Sequence, residues 1–256
     1  MQAMIRLHVP QPLSAGAAVL PTLDQSRYLT QVMRLKAGDA LLVFNGADGE
    51  WRCVIAETLK KGVVLRAEEQ VRSQTTVPDV HLLIAVVKKA ALEFAVEKAT
   101  ELGAARIGLV TTRRTQGDRV RMDRLEAIAV ESAEQTGRLD VPAIDLPARL
   151  EALLDGWDEK RRLMFCDETG GAPAMKALAA APSTASRSPS PDGGGDAGPW
   201  AILIGPEGGF APEERERLRA LPFTTAVSLG PRVLRADTAA TAALTLWQAA
   251  VGDWER

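Results

Sequence analysis

The first 72 residues alternate short apolar runs with polar turns, a pattern typical of short β-strands. The clearest turn lies at residues 45–49, where Asn-Gly-Ala-Asp-Gly indicates a hairpin connection. One helical segment, around residues 23–35, interrupts the strands, and Asp24 or Ser26 is its expected N-cap. So many short strands in so short a segment predict a small β-barrel. The strands are expected at residues 4–9, 40–44, 51–56 and 63–67.

The pattern changes after an uncharged polar stretch at residues 73–78. Residues 80–87 form a continuous apolar run, as in a parallel strand that is covered on both faces. Residues 88–102 then place their apolar side chains on one helical face. Strand and helix patterns alternate from there on, which predicts an α/β domain with a mostly parallel sheet. Further strands are expected at 107–111, 163–166, 200–204 and 225–229, and further helices from Asp123 to Gly137, from Pro212, and from Asp237 to Trp254.

Three parts of the chain follow from this change of pattern. Residues 1–72 are predicted to form a β-domain, residues 73–78 a linker, and residues 79–256 an α/β domain. Within the last part, residues 182–199 are rich in Ser, Pro and Gly and offer no side chain that would anchor a core. We expect this stretch to be a mobile surface insertion.

Composition narrows the class of protein without identifying it. No apolar run approaches the roughly 18 residues of a membrane span, and the first residues lack the apolar region of a signal peptide. We therefore expect a cytosolic protein. The net charge is −2, but Lys and Arg dominate the first half and Asp and Glu the second, which permits a polyanionic partner. The two cysteines, Cys53 and Cys166, and also His81 lie in apolar runs and are interpreted as core residues.

Two Gly-rich segments near the end of the chain carry the most specific chemistry. Residues 203–210 read Leu-Ile-Gly-Pro-Glu-Gly-Gly-Phe, and residues 229–238 read Leu-Gly-Pro-Arg-Val-Leu-Arg-Ala-Asp-Thr. Each follows a predicted strand and precedes a predicted helix, so that backbone N–H groups can approach a ligand with no Cβ in the way. Neither segment is a dinucleotide fingerprint or a P-loop. No Ser lies in a nucleophile elbow, and two histidines make no His-based metal cluster. We expect both segments to build one pocket.

These segments resemble the SPOUT class of S-adenosylmethionine (SAM)-dependent RNA methyltransferases. Within that class the chain is similar to the RsmE family, which methylates N3 of a uridine in 16S ribosomal RNA. Further agreement lies at residues 27–34, 97–103 and 134–138, so that the resemblance covers nearly the whole chain. It implies a PUA-like N-terminal β-barrel that engages RNA, a SPOUT domain with a deep trefoil knot, and a homodimer. No metal is expected.

The resemblance also implies roles for individual residues. Backbone groups and apolar side chains of both Gly-rich segments are expected to hold SAM, and Glu207 is a candidate base or ribose anchor, or else only a helix cap. Arg232 or Arg235 is expected to stabilise the negative charge that develops on the uracil ring. The expected SAM-binding residues are Leu203, Ile204, Gly205, Pro206, Glu207, Gly208, Gly209, Leu229, Gly230, Val233, Leu234, Arg235, Thr238 and Ala239.

RNA binding is assigned to basic and aromatic side chains outside the acidic part of the chain. Phosphates attract Arg, and unstacked bases pack on aromatic rings. For most of these residues the alternative is an ordinary solvated surface. The expected RNA-binding residues are Arg27, Tyr28, Arg34, Arg113, Arg114, Arg119, Arg121 and Arg138.

Three positions depart from the family pattern. Ala236 and Asp237 stand where Thr and Glu are usual, and Thr136 stands where Cys or Ser is common. Two other functions remain open at this stage. One is a SPOUT enzyme that methylates another RNA position, such as a ribose 2′-OH. The other is a non-catalytic RNA-binding protein of ribosome assembly.

Overall fold

The computed structural model describes residues 4–116, 119–180 and 198–254. The chain divides into two compact units. One contains the residues up to Thr75 together with Ala133–Val141, and the other contains Thr76–Ser132 and the residues from Pro142 onwards. The predicted insertion at 182–199 lies, up to residue 197, outside the described residues. Across the three described ranges, no helix is both long and apolar enough to span a membrane.

The first unit contains a five-stranded mixed sheet. Strand β1 pairs in parallel with β3, and the other neighbours are antiparallel, in the order β1-β3-β4-β5-β2. The predicted hairpin at residues 45–49 is confirmed, since it joins β3 to β4 with Phe44 opposite Glu50. Apolar side chains such as Leu41, Val43 and Leu65 are fully buried in its core. The strands are β1 (Arg6–His8), β2 (Ala18–Val19), β3 (Ala40–Phe44), β4 (Glu50–Leu59) and β5 (Gly62–Arg72).

The helical segment of this unit begins at Leu23, as predicted, but its N-cap is neither of the two expected residues. Helix α1 (Leu23–Arg27) is capped by Thr22, whose hydroxyl accepts from the N–H of Gln25 while the Gln25 side chain accepts from the N–H of Thr22. Asp24 lies inside the first turn, and Ser26 is buried with its Oγ accepting from the N–H of Val63. Neither is the cap. A π-helical turn, Tyr28–Val32, follows directly.

A buried ion cluster holds the end of a later helix within this unit. Helix α3 begins at Met122 and ends at Thr136, and its last residues group with the first unit. The Arg6 guanidinium donates to the carbonyls of Ala133 and Glu134 at 2.8 and 2.9 Å. The buried Glu50 carboxylate accepts from Nε of Arg6 and of Arg72. Burial raises the pKa of Glu50, but the hydrogen bonds and charges of Arg72 and Arg6 outweigh it and hold the pKa below its usual value.

The second unit contains a seven-stranded, wholly parallel sheet, which confirms the predicted α/β class. Its strand order is β10-β12-β9-β11-β6-β7-β8. Because every strand runs the same way, all seven carboxyl ends meet at one edge of the sheet. The strands are β6 (Val80–Ala85), β7 (Arg106–Thr111), β8 (Ala143–Arg149), β9 (Arg162–Cys166), β10 (Ala172–Pro173), β11 (Trp200–Ile204) and β12 (Thr224–Ser228).

Helices cover this sheet. Helix α7 packs on α2, on α5 and on strands β6 and β11. Pro212 at the first position of α6 agrees with the prediction, because its missing N–H is not needed there. The predicted last helix ends earlier than expected, at Ala250. The remaining helices are α2 (Lys89–Glu101), α4 (Leu150–Asp155), α5 (Ala174–Ala180), α6 (Pro212–Ala220) and α7 (Ala236–Ala250).

Candidate active site

The second unit has a pocket at the carboxyl edge of its sheet. About 770 Å³ of space lies between its walls, part of it open to solvent. Three loops form it, following β9, β11 and β12, and the start of α7 completes the wall. The lining residues are Cys166, Asp167, Glu168, Ile204, Gly205, Pro206, Glu207, Gly209, Ser228, Leu229, Gly230, Pro231, Arg232, Val233, Leu234, Ala236 and Ala239.

The loop after β11 is shaped by two glycines. A Cβ at Gly205 would lie 2.6 Å from Cε2 of Phe210, which is closer than real Cβ contacts allow. Gly209 has a φ of +66°, and a Cβ there would lie 2.3 Å from Oε1 of Glu168. The turn closes with the N–H of Gly209 donating to the carbonyl of Pro206 at 2.9 Å. The two glycines therefore let this loop pack closely while it faces the pocket.

The loop after β12 is more exposed. Gly230 has a φ of +121°, which a residue with a side chain rarely adopts, and its N–H donates to the Ser228 hydroxyl. Arg232 lines the pocket with an exposed side chain, and Val233 is 83% exposed. The loop thus presents one cation and one apolar side chain at the pocket mouth.

The loop after β9 was missed in the sequence analysis. Cys166 was interpreted as a core residue, but it is half-buried and lines the pocket. Burial raises the pKa of its thiol to about 12, so the thiol is neutral at pH 7. Asp167 and Glu168 come directly after it. Their place directly after a predicted parallel strand could have identified them, because residues that follow such a strand lie at the ligand-binding edge of the sheet.

The carboxylate of Asp167 holds this loop in place. Its side chain has no exposed surface, and Arg219 contacts Oδ2 at 2.7 Å. Oδ1 accepts from the N–H and the hydroxyl of Thr169, and Nε of Arg215 lies 3.5 Å from it. The Arg215 guanidinium also donates to Oε1 of Glu168 at 3.0 Å. One wall of the pocket therefore rests on α6, which carries both arginines.

The carboxylate that caps the start of helix α6 belongs to Glu214, in its first turn, and not to Glu207; the N-cap residue itself is Ala211. One oxygen of the buried Glu214 carboxylate accepts from the N–H of Ala211 at 2.9 Å, and the other accepts from the N–H of Arg113 at 2.8 Å. Glu207 is exposed and lines the pocket. The capping alternative for Glu207 is therefore removed, because another acid fills that position.

Most of the expected SAM-binding residues line the pocket, and four do not. Leu203 is fully buried in the core of the unit, where it cannot form a pocket wall. Gly208 faces Arg114, which donates to its carbonyl at 3.1 Å. Thr238 is exposed, and its N–H and hydroxyl donate to the carboxylate of Asp237. Arg235 is exposed and immediately precedes α7. The residues that do line it are Ile204, Gly205, Pro206, Glu207, Gly209, Leu229, Gly230, Val233, Leu234 and Ala239.

The arginines expected to bind RNA fall into different environments. In the second unit, Arg113 is paired with Glu151 and Glu213, and Arg121 with Asp123. Arg114 is tied to the loop after β11, and Arg119 has an exposed side chain. An arginine that is already paired with a carboxylate gains less free energy when it binds a phosphate.

Within the first unit, one of these predictions needs correction. Arg138 is 9% exposed and its guanidinium donates to both carboxylate oxygens of Asp140, so that it does not lie on a surface open to RNA. Arg27 is exposed and contacts Asp24, and Tyr28 is 41% exposed. Arg34 is exposed and has a φ of +57°, the one non-Gly residue with positive φ in the described part of the chain.

No group of three or more His, Cys, Asp and Glu side chains within the described ranges is placed to hold a metal ion. His81, interpreted as a core residue, keeps some solvent exposure and lies 3.3 Å from Asp79.

Comparison with known proteins identifies the family. Residues 74–248 match the RNA methyltransferase domain, and residues 20–68 match the RNA methyltransferase PUA domain. The ribosomal RNA small subunit methyltransferase E of Rickettsia conorii is 31% identical over 240 residues, which are 93% of each chain. The enzyme of the same name from Bacillus subtilis is 28% identical over 230 residues, 87% of this chain and 86% of its own.

Solved structures agree in fold. The Legionella pneumophila protein Lpg2936, solved in complex with SAM, superposes with a TM-score of 0.80 at 28% identity, over 98% of this chain and 99% of its own. The ribosomal RNA small subunit methyltransferase E of Neisseria gonorrhoeae, bound to SAM, also gives a TM-score of 0.80, at 23% identity over 98% and 100% of the two chains. The resemblance noted in the sequence is thereby confirmed. The chain belongs to the ribosomal RNA small subunit methyltransferase E family.

Proposed function

We propose that this protein transfers a methyl group from SAM to N3 of a uridine in 16S ribosomal RNA. The observation that carries the proposal is the pocket formed by both Gly-rich segments at the carboxyl edge of the sheet, in a chain that matches the RNA methyltransferase domain. Relatives named for small-subunit ribosomal RNA methylation, and a similar structure that contains SAM, support the same substrate and cofactor.

The pocket fits an adenosine derivative. A Cβ at Gly205 or Gly209 would lie too close to a neighbouring side chain. Both positions are glycine, and their backbone atoms form part of the pocket wall. Ile204 and Leu234 add apolar surface, and backbone N–H and carbonyl groups are suited to the edges of adenine and ribose. When bound, SAM supplies a methyl group on a positively charged sulfur.

Methylation at N3 requires the removal of a proton that is only weakly acidic. The proton leaves N3, and the negative charge that remains is shared by N3 and the two flanking carbonyl oxygens. A cation placed there stabilises this charge more than it stabilises the neutral base. Arg232 lines the pocket and is the best placed to do so. Arg235, exposed just before α7, is the second candidate.

Glu207 is the proposed acceptor of the N3 proton. Its carboxylate lies in the pocket lining, its side chain is exposed, and helix capping falls to Glu214 instead. A base works by lying within hydrogen-bonding distance of the proton that it takes. Holding both reactants in one site supplies a large part of the rate enhancement by itself.

RNA binding is proposed for exposed basic and aromatic side chains of both units. Arg27, Tyr28 and Arg34 belong to the unit that matches the PUA domain. In the second unit, Arg114 and Arg119 are proposed to bind RNA, and the ion-paired Arg113 and Arg121 are proposed to contribute less. The target base must be single-stranded or unstacked to enter the pocket.

Three further properties are proposed on the family resemblance. The backbone of the second unit is knotted, which a crystal structure that traces these loops without threading would refute. The protein forms a homodimer, which a monomeric mass in sedimentation equilibrium would contradict. It acts in the cytoplasm, which cell fractionation tests.

Methyl transfer to ribosomal subunits tests the proposed function. Purified protein is incubated with tritium-labelled SAM and 30S subunits from cells that lack the modification, and the RNA is recovered. We expect label in 16S ribosomal RNA in stoichiometric amounts. Protein that binds RNA but transfers no label, and that shows no calorimetric binding of SAM at millimolar ligand, would instead be a non-catalytic assembly protein.

A further inference from the structure

Glu168 is a pocket-lining carboxylate with a fixed position. Its Oε1 accepts from the Arg215 guanidinium at 3.0 Å and lies against the backbone of Gly209, where a Cβ would be only 2.3 Å away. The side chain is 32% exposed, although it is held on two sides. Its Oε2 makes no hydrogen bond to any described residue, so one oxygen remains open to a ligand.

The other two acids that line the pocket lack either a free carboxylate oxygen or a fixed position. Both oxygens of Asp167 are occupied, by Thr169 and by Arg219. Glu207 is exposed and is not held by a hydrogen bond to the described residues. A side chain that is already fixed loses little conformational entropy when it binds a ligand. Glu168 is therefore the acid of the pocket that combines a fixed position with a free oxygen.

The charge around Glu168 indicates which ligand group it accepts. Asp167 and Glu168 contribute two negative charges, and Arg215 and Arg219, which contact them, contribute two positive charges. The cluster has no net charge, so it offers little attraction to an ammonium or sulfonium group. A charged oxygen in a neutral cluster is still a strong hydrogen-bond acceptor for a hydroxyl.

We propose that Oε2 of Glu168 accepts a hydrogen bond from a ribose hydroxyl of SAM, with Arg215 as the residue that positions the carboxylate. A carboxylate that follows a parallel strand has the same use in dinucleotide-binding domains, where it binds the ribose diol. The inference rests on the proposed function, since it concerns the same cofactor. It adds a specificity residue in the loop after β9, outside both Gly-rich segments.

Calorimetry with S-adenosylhomocysteine and with its 2′-deoxy and 3′-deoxy analogues tests the inference. Wild-type protein should bind at least one deoxy analogue about ten- to a hundredfold more weakly, as expected for a hydrogen bond to a charged group. Glu168→Ala should weaken binding of S-adenosylhomocysteine by a similar factor and abolish the discrimination against that analogue. Glu168→Gln, which preserves the shape but places an amide donor on one side, should lose most of the discrimination as well.

Controls separate the contact from a loss of structure. Glu216→Ala removes an exposed acid of helix α6 and should leave all affinities unchanged. Near-ultraviolet circular dichroism of Glu168→Gln should match the wild type, so that its affinities report on the contact. Discrimination in Glu168→Gln and Glu168→Ala that equals the wild-type value would overturn the inference. If the wild type binds no S-adenosylhomocysteine at all, the proposed function itself fails. This outcome differs from unchanged discrimination in the variants, which overturns only the role of Glu168.

Discussion

The ring of Phe210 lies directly against the backbone of Gly205, so that a Cβ at residue 205 would be 2.6 Å from Cε2 and 3.0 Å from Cδ2. Phe210 is fully buried and also packs edge-on against Phe165, with 5.0 Å between the ring centroids. The ring therefore cannot move aside without disturbing the core. This pair joins the floor of the pocket to the packing of the parallel sheet.

Gly205→Ala is the first prediction. Because the added methyl group must displace either the ring or the loop, we expect a loss of about 1–3 kcal/mol in the free energy of unfolding. SAM affinity should fall at least tenfold, as measured by calorimetry. Gly156→Ala is the matched control, since a Cβ there would meet only a carbonyl oxygen at 3.8 Å. Equal SAM affinity in Gly205→Ala and the control would contradict this description of the pocket floor.

Asp167→Asn should destabilise the protein strongly. The change removes the negative charge of the buried Asp167 carboxylate, with which Arg215 and Arg219 are paired. Both arginines keep contact with solvent, so the cost is that of the lost charge-assisted hydrogen bonds of a buried carboxylate, about 1.5–3 kcal/mol. Urea unfolding measures the difference. In contrast, Asp155→Asn breaks the exposed pair with Arg217 and should cost less than about 1 kcal/mol. Similar losses in the two variants would show that the buried cluster does not hold the loop after β9.

His81 should make the protein less stable in mild acid. Burial lowers its pKa to about 4 from an ordinary 6.5, and the charge of Arg161 acts in the same direction. Asp79 opposes this, but its carboxylate already accepts two hydrogen bonds from Arg161, at 2.8 and 2.9 Å. As the pH falls, the unfolded chain binds the proton first. The stability associated with neutral His81 is therefore complete above pH 6.5 and is lost between pH 6.5 and about 4.

Urea unfolding at pH 7 and pH 5 checks this expectation. The free energy of unfolding should be lower at pH 5, by about 1 kcal/mol from His81 after allowance for solvent screening. His81→Gln should reduce the difference between the two pH values. A smaller part should remain because burial lowers the pKa of His8 as well. If the free energy of unfolding of His81→Gln depends on pH as that of the wild type does, groups other than His81 cause the loss of stability.

Tyr28→Ala should weaken RNA binding without affecting SAM. Stacking of a base on an aromatic ring contributes about 1–3 kcal/mol, so we expect roughly a tenfold loss of affinity for a 16S ribosomal RNA fragment in fluorescence anisotropy at fixed salt. Phe94→Ala is the matched control, because Phe94 is 42% exposed and Tyr28 is 41% exposed. A loss that is equal in both variants would mean that Tyr28 has no specific role.

The sequence was sufficient for the parts of the fold that have strong patterns. Strand β6 is buried on both faces and reads as an apolar run with His81 as its one polar residue, so it was predicted to within two residues. Strand β8 was missed because it is an edge strand, largely exposed, and contains Pro147, which only an edge position tolerates. Strand β2 consists of only two residues, Ala18–Val19, which is too short to produce a pattern.

The site was predictable only where the chemistry was local. The Gly-rich segments are continuous in sequence, and the pocket indeed includes most of their residues. The contributions of Asp167 and Glu168 depend on Arg215 and Arg219, about fifty residues later in the chain, and this pairing has no local signal. The burial of Arg138 depends likewise on tertiary packing, because its sequence neighbourhood reads as a polar loop.

Arg232 should be required for methyl transfer more than for SAM binding. It lines the pocket with an exposed side chain and is proposed to stabilise charge on the uracil ring, which develops only in the transition state. We expect Arg232→Ala to lower the single-turnover rate at least a hundredfold, while SAM affinity changes less than about threefold. Arg217→Ala, which removes an arginine of helix α6, is the control. A wild-type transfer rate in Arg232→Ala would remove this residue from the mechanism.

The identity of the methylated atom tests the central claim most directly. After transfer from labelled SAM to 30S subunits that lack the modification, the 16S ribosomal RNA is digested to nucleosides and separated against standards. We predict that the label co-migrates with N3-methyluridine, at one methyl group per subunit, and that it is absent in reactions with Gly205→Ala at low SAM concentration. Label in a ribose-methylated nucleoside, or in any base other than uracil, would contradict the proposed function.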